Sequence, residues 1–201
     1  ATLDETILRP DWSQGLMHPA LKADIRYRAL DQGPATVRLT ATPANFSGRP
    51  YQADFPVTLE SGAHSVQVTL PMPKAKLWWP IGTGKPHLYT VRVALRDANG
   101  LMDTAVTRTG LRKIVEQPDN KGWLINDRRL FIKGSNYIGS PWLGTMTRKK
   151  YRRDLRLVEA MNANAIRVHG HVAGRALYDV ADEMGMMIWQ DVPLQWGYNN
   201  S

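Results

Sequence analysis

Two short runs late in the chain hold residue types from which a polar site can be built. Arg167 and His169 stand two apart after Ala165-Ile166, and Trp189 and Asp191 stand two apart after Met187-Ile188. On a strand, residues two apart share a face. A guanidinium can fork onto carboxylates, an aspartate accepts hydrogen bonds, and an indole offers a flat apolar surface. The competing reading of Arg167 and Asp191 is an ion pair between neighbouring strands. For His169 it is a satisfied core histidine. His169 and His171 also form H-x-H, a spacing that can hold a metal on one strand face. No third ligand is fixed by spacing, so no metal and no cofactor is assigned. Asn136 ends an earlier strand and is either a pocket residue or a turn cap.

These residues need a scaffold, and the local grammar describes one. Thr147 can cap a helix, along which Tyr151, Leu155, Val158 and Met161 recur at helical spacing. Leu177, Ala181 and Met184 mark a second helix, closed by Gly185 at the position that favours a left-handed residue. Ala165–His169 and Met186–Gln190 read as short apolar strands. Upstream, Trp123–Asn126 and Arg129–Gly134 flank a turn at Asp127-Arg128 and read as a hairpin running into a buried strand. The order β-α-β-α-β predicts a parallel sheet covered by helices. Active sites of parallel barrels lie at the carboxyl ends of the strands, where Asn136, Arg167, His169, Trp189 and Asp191 fall.

Residues 19–116 follow another grammar. Ile25/Tyr27/Ala29, Val37/Leu39/Ala41, Val66/Val68/Leu70 and Val91/Val93/Leu95 each alternate with outward-facing neighbours. Period-2 alternation gives strands with one buried face. Asp31-Gln32-Gly33-Pro34, Ser61-Gly62 and Asp97-Ala98-Asn99-Gly100 supply the turns. The expected architecture is an immunoglobulin-like antiparallel sandwich over 1–116, then an incomplete α/β segment over 117–201. Residues 117–201 are too few for an eight-stranded barrel, which takes roughly 250, so a fragment of a larger protein is expected.

Composition narrows the classes. The chain has 201 residues, no cysteine, and 26 Lys+Arg against 18 Asp+Glu, a net +8. Disulfide and thiolate chemistry are excluded, and the compartment stays undetermined. No apolar run reaches the roughly 18–20 residues of a membrane span. Ala1–Pro10, with Asp4, Glu5 and Arg9, does not have the pattern of a signal peptide. The basic excess concentrates at Arg148, Lys149, Lys150, Arg152, Arg153 and Arg156, read as a solvated helix face. No nucleic-acid-binding motif accompanies it, so no nucleic-acid partner is expected.

A set of motifs carries a family likeness. Leu77-Trp78-Trp79-Pro80 with Gly82, Gly84 and Leu88-Tyr89 resembles the end of the sandwich domain of glycoside hydrolase family 2, most nearly its β-mannosidase and exo-β-glucosaminidase branch. Gly110–Lys113, Leu124–Arg128, Phe131–Asn136, Met161–Arg167 and Leu177–Asp191 follow in family order. The resemblance implies retaining exo-glycosidase activity on terminal β-linked sugars, without a cofactor, and a catalytic barrel after the sandwich. It places Arg167 in the catalytic pocket, where an aspartate such as Asp191 can accept hydrogen bonds from sugar hydroxyls and an indole such as Trp189 offers a flat face to a sugar ring. It also implies two catalytic glutamates on the fourth and seventh barrel strands, expected beyond Ser201, so no catalytic residue is named in this chain. The chain alone is expected to be inactive, with a carbohydrate substrate and the remainder of the parent chain as partners. His169–Gly174 and Val192–Tyr198 depart from the branch pattern, which leaves mannose in doubt as the sugar. Trp78 and Trp79 are read as packing rather than a stacking platform, and Trp142 and Trp196 as either pocket rim or packing. The rival class is a non-enzymatic carbohydrate-binding or adhesion module.

Overall fold

A computed structural model describes residues 1–118 and 122–192. They divide into two compact units, one of residues 1–77 and 87–113, the other of residues 78–86 and 114 onward.

The first unit is an antiparallel sandwich. Its strands are β1 (Thr2–Asp11), β2 (Ala20–Ala29), β3 (Gly33–Pro43), β4 (Tyr51–Leu59), β5 (Gly62–Pro71), β6 (Tyr89–Asp97) and β7 (Gly100–Thr109). They form one sheet in the order β1-β2-β5 and another in the order β4-β3-β6-β7. The alternating residues meet between the sheets: Ile25, Val37, Leu39, Ala41 and Val91 are fully buried. Burying each such aliphatic side chain stabilises the fold by roughly 1.5–3 kcal/mol for the larger ones. The β6–β7 turn is set by Asp97, whose Oδ1 accepts from Asn99 N at 2.8 Å, and by Gly100 at φ 127°. Only glycine takes that conformation without strain.

β1 was not expected, because its residues show no clean alternation. It is an edge strand held by charge. Across the β1–β2 ladder Glu5 pairs with Arg26 at 2.9 Å and Asp11 with Lys22 at 3.3 Å, while Arg9 pairs with Asp24. The Leu3 amide adds a bond to Asp103 Oδ2 at 2.7 Å.

In the second unit, β8 (Ile114–Glu116), β9 (Trp123–Ile125) and β10 (Arg128–Leu130) form a small antiparallel sheet. Asn126 and Asp127 both take positive φ, 50° and 62°, as a two-residue hairpin turn demands. The run read as one buried strand over 129–134 is broken here. β10 ends at Leu130, Phe131 is 81% exposed, and the parallel strand β11 begins only at Gly134 (Gly134–Tyr137). A Cβ at Gly134 would lie 2.3 Å from Ala165 O, so the chain enters the parallel sheet at a glycine.

After β11 come α1 (Arg148–Ala160), β12 (Ala165–Val168), α2 (Arg175–Met184) and β13 (Met187–Gln190). The sheet order is β11-β12-β13, all parallel. Thr147 caps α1 by accepting from Lys150 N, and Gly185 closes α2 at φ 78°. Tyr151 and Leu155 from α1 and Leu177, Val180 and Ala181 from α2 bury against Ile166 and Val168. Met161 is not part of that core: it is the C-cap of α1 and 68% exposed. No helix among the described residues is long and apolar enough to cross a membrane.

Candidate functional site

The site is built on the sheet face opposite the helices. Strand parity sends Ile166 and Val168 into the helical core, so Arg167 must point the other way. Register places Asn136 beside Arg167 and Arg167 beside Trp189, one row across three parallel strands. His169 and Asp191 follow immediately after β12 and β13 and turn toward each other.

Asp191 is the hub. Its Oδ1 and Oδ2 accept from Arg167 Nε at 3.0 and 3.1 Å, and His169 Nδ1 lies 3.1 Å from Oδ2. The Asp191 side chain is 16% exposed, against 48% for Arg167 and 47% for His169. The Arg167 hydrogen bond holds the carboxyl below the usual aspartate range, against the opposing effect of burial, and His169 adds to it. The carboxylate therefore stays ionised, and half of the guanidinium and imidazole surfaces remain open to a ligand. Gln190 fixes the loops behind it: its Nε2 donates to His171 O at 2.8 Å while its Oε1 accepts from Tyr178 Oη.

The ion pair of Arg167 and Asp191 is formed, and Arg167 also lines a groove. A groove of about 250 Å³ is lined by Ile132, Ser135, Asn136, Arg167 and Trp189 among others. A second, of about 270 Å³, runs past the same indole and includes Trp123 and Met187. Trp123 meets Trp189 edge to face, with centroids 5.9 Å apart. Trp189 is 55% exposed, so a flat face stays available beside the charged trio. Sequence reasoning did not place Trp123 here. Nothing in its own strand signals the pairing, which depends on β9 and β13 being brought together from 66 positions apart in number.

The other candidates sort as follows. His171 Nδ1 engages the His169 carbonyl at 3.0 Å rather than standing beside its ring. Among the described residues no three of His, Cys, Asp and Glu come together to hold a metal. Trp78 is 2% exposed; its indole donates to Asp182 O at 2.8 Å and its carbonyl accepts from Asn126 Nδ2 at 2.9 Å. Trp79 lies under the Arg128 guanidinium, 5.0 Å away. Both tryptophans are packing elements. Trp142 is 77% exposed, and Trp196 lies outside the described residues. In the basic cluster on α1, Arg148 and Arg152 share Glu183, and Arg153 holds Asp154.

The profile of the family "Glycosyl hydrolases family 2" matches residues 1–112. The chain belongs to glycosyl hydrolase family 2. Within the family it is similar to a mannosylglycoprotein endo-beta-mannosidase of Lilium longiflorum, 34% identical over 136 residues, 63% of this chain and 14% of that protein. It is also similar to an exo-beta-D-glucosaminidase of Hypocrea jecorina, 29% identical over 143 residues, 67% of this chain and 16% of that one. The solved β-D-mannosidase of Dictyoglomus thermophilum superposes with a TM-score of 0.80 at 26% identity, covering 94% of this chain and 24% of its own. Family 2 relatives of the β-mannosidase and exo-glucosaminidase kind therefore surround the chain, which spans about a seventh of the curated relatives it matches.

Proposed function

We propose that this chain is part of a retaining exo-glycosidase that hydrolyses terminal β-linked sugars. The parallel unit β11–β13 is then the opening of its catalytic (β/α)8 barrel. The observation that carries this reading is the row Asn136–Arg167–Trp189 with Asp191 and His169 bonded at the carboxyl ends of β12 and β13. That is the end at which parallel barrels build active sites. In this role Asp191 accepts from ligand hydroxyls, Trp189 receives the apolar face of a sugar ring, and Arg167 holds Asp191 in place while turning its open nitrogens to the ligand.

Retaining hydrolysis needs two carboxyl groups about 5–5.5 Å apart across the scissile bond, one as nucleophile and one as acid and base. The chain's own glutamates are placed for other work. Glu5 pairs with Arg26 on the sandwich, Glu60 lies beside His64, and Glu183 is held by two arginines. Glu116 and Glu159 lie in β8 and α1. None stands in the Asp191 row, so the catalytic pair is assigned to other parts of the parent protein. The departures at His169–Gly174 leave the sugar open between mannose and its relatives.

The test is to express the complete reading frame beside the 201-residue chain and assay both on aryl β-mannoside, β-glucosaminide, β-glucuronide and β-galactoside. The complete protein is expected to release the aryl alcohol from at least one of them, with the β-anomer as first product by NMR. The 201-residue chain is expected to match a mock preparation. An inactive complete protein, an inverted product, or turnover by the chain alone contradicts the reading.

A further inference from the structure

The outer face of the four-stranded sheet carries a second built surface, within the sandwich and independent of the Asp191 site. β3 and β6 run side by side there, with Arg38 opposite Ala94, Thr40 opposite Arg92 and Thr42 opposite Thr90. On the other flank of β3, Arg38 faces Asp54 and Thr40 faces Gln52. Arg92, Ala94 and Arg96 share one face of β6, so a small residue sits between two long cations. The result is a groove of about 570 Å³ lined by Arg38, Thr40, Gln52, Thr90, Arg92 and Arg96, with Ala94 on its floor. Ala94 is only 6% exposed although it points outward, because the longer side chains wall it in.

Charge and hydrogen bonding on this face are unevenly spent. Arg38 forks onto Asp54 with both bonds at 2.6 Å, which fixes that guanidinium. Arg92 donates through Nε to Thr104 Oγ1 at 3.0 Å and lines the groove. Three arginines face a single carboxylate. Around them stand hydroxyls and an amide suited to a polyhydroxylated ligand, and the exposed Leu101 and Val106 form an apolar rim at the β7 side. No aromatic side chain lines the groove. Nucleic-acid strands are usually held by aromatic stacking as well as by charge, so the surface fits that class poorly.

We infer that this groove is an accessory binding site for an acidic saccharide, one whose ring carries a carboxylate for Arg92 and Arg96 and hydroxyls for Thr40, Gln52 and Thr90. The carboxylate-bearing ring lies along the groove between Arg92 and Arg96, above the small side chain of Ala94. The surface is open, so binding is weak and falls with ionic strength.

The experiment is a titration of the 201-residue chain, followed by amide NMR at low ionic strength, with trigalacturonate, uncharged mannotriose and inorganic sulfate as separate probes. Trigalacturonate is expected to shift the amides around Thr40, Thr90 and Ala94 and to bind more tightly than either other probe. Arg92→Gln/Arg96→Gln is expected to weaken it about two- to thirtyfold, the sum of two exposed charge contacts. Ala94→Gln, which fills the floor and leaves the charge unchanged, is expected to weaken it as well, whereas Arg167→Ala leaves it unaltered. Folding of each variant is checked from the unshifted amides of the other sheet. Equal binding by the double variant overturns the site, and so does mapping of the shifts to Arg167 and Asp191. Equal affinity for sulfate, or no effect of Ala94→Gln, reduces the groove to a simple anion sink and overturns the saccharide assignment.

Discussion

The sandwich and the parallel unit solve the burial problem differently. In the sandwich, two sheets cover each other, and Val37, Leu39 and Val91 have no remaining contact with water. In the parallel unit, helices cover one face of a three-stranded sheet and leave the other to Arg167, Trp189, Met187 and the grooves beside them. Only β12 has a partner on both sides; β11 and β13 each keep one free edge among the described residues. The first unit closes a core between its own two sheets, while the second leaves one sheet face open to polar and aromatic side chains.

The largest expected effect tests the closed core. Leu39→Ala removes a fully buried side chain from the centre of β3. It should destabilise the sandwich by about 3–5 kcal/mol, read from chemical denaturation. A loss under about 1 kcal/mol would mean that the two sheets do not share a tight core.

Next comes Gly134→Ala. Its new methyl group would meet the Ala165 backbone oxygen at 2.3 Å, and backbone cannot rotate aside. A loss of about 1–3 kcal/mol is expected, confined to amides of the parallel unit in hydrogen exchange. Uniform destabilisation of both units would break the distinction between them.

Without any mutation, exchange should already separate the two. Amides of β2, β3 and β6 are expected to be the slowest, and those of β11 and β13 faster, because edge strands and an uncovered face open at lower cost. Equal protection of β13 and β3 contradicts the comparison.

The smallest effect is a pH dependence. The Asp191 carboxyl is held below the ordinary value of 3.8, chiefly by the Arg167 hydrogen bond. A depressed folded-state value stabilises at pH above the unfolded value, and the contribution disappears as pH falls through the folded one. Asp191→Asn should therefore be less stable than the wild type at neutral pH, with the difference shrinking below pH about 4. A gap that is constant down to pH 2 would mean that Asp191 ionisation is uncoupled from folding.

How much was legible in the sequence depended on how local the deciding contact was. The sandwich strands were readable because alternation is a property of each strand alone, as at Val91, Val93 and Leu95. β1 was not, because its register is set by Glu5, Arg9 and Asp11 against partners on β2. Phe131 looked like strand core because it is apolar, yet it lies between β10 and β11, 81% exposed, with its carbonyl accepting from the distant Asn164 Nδ2 at 3.0 Å. At the site, parity and the family likeness brought Arg167, His169, Trp189 and Asp191 to one end of the sheet. The Trp123–Trp189 contact and the capture of Arg148 and Arg152 by Glu183 were beyond reach, since both join residues more than thirty positions apart.

The central claim is that the row at the carboxyl ends of β12 and β13 is a sugar pocket. Its most direct test is kcat/KM of the complete protein on its best aryl glycoside, for Arg167→Ala and Asp191→Ala beside Arg112→Ala in the sandwich unit. The first two are expected to fall about ten- to a hundredfold, the scale of losing a charged hydrogen bond in a binding site. Arg112→Ala should keep wild-type turnover. If Asp191→Ala retains full kcat/KM and only lowers the Tm, the trio is a structural clasp and the pocket lies elsewhere.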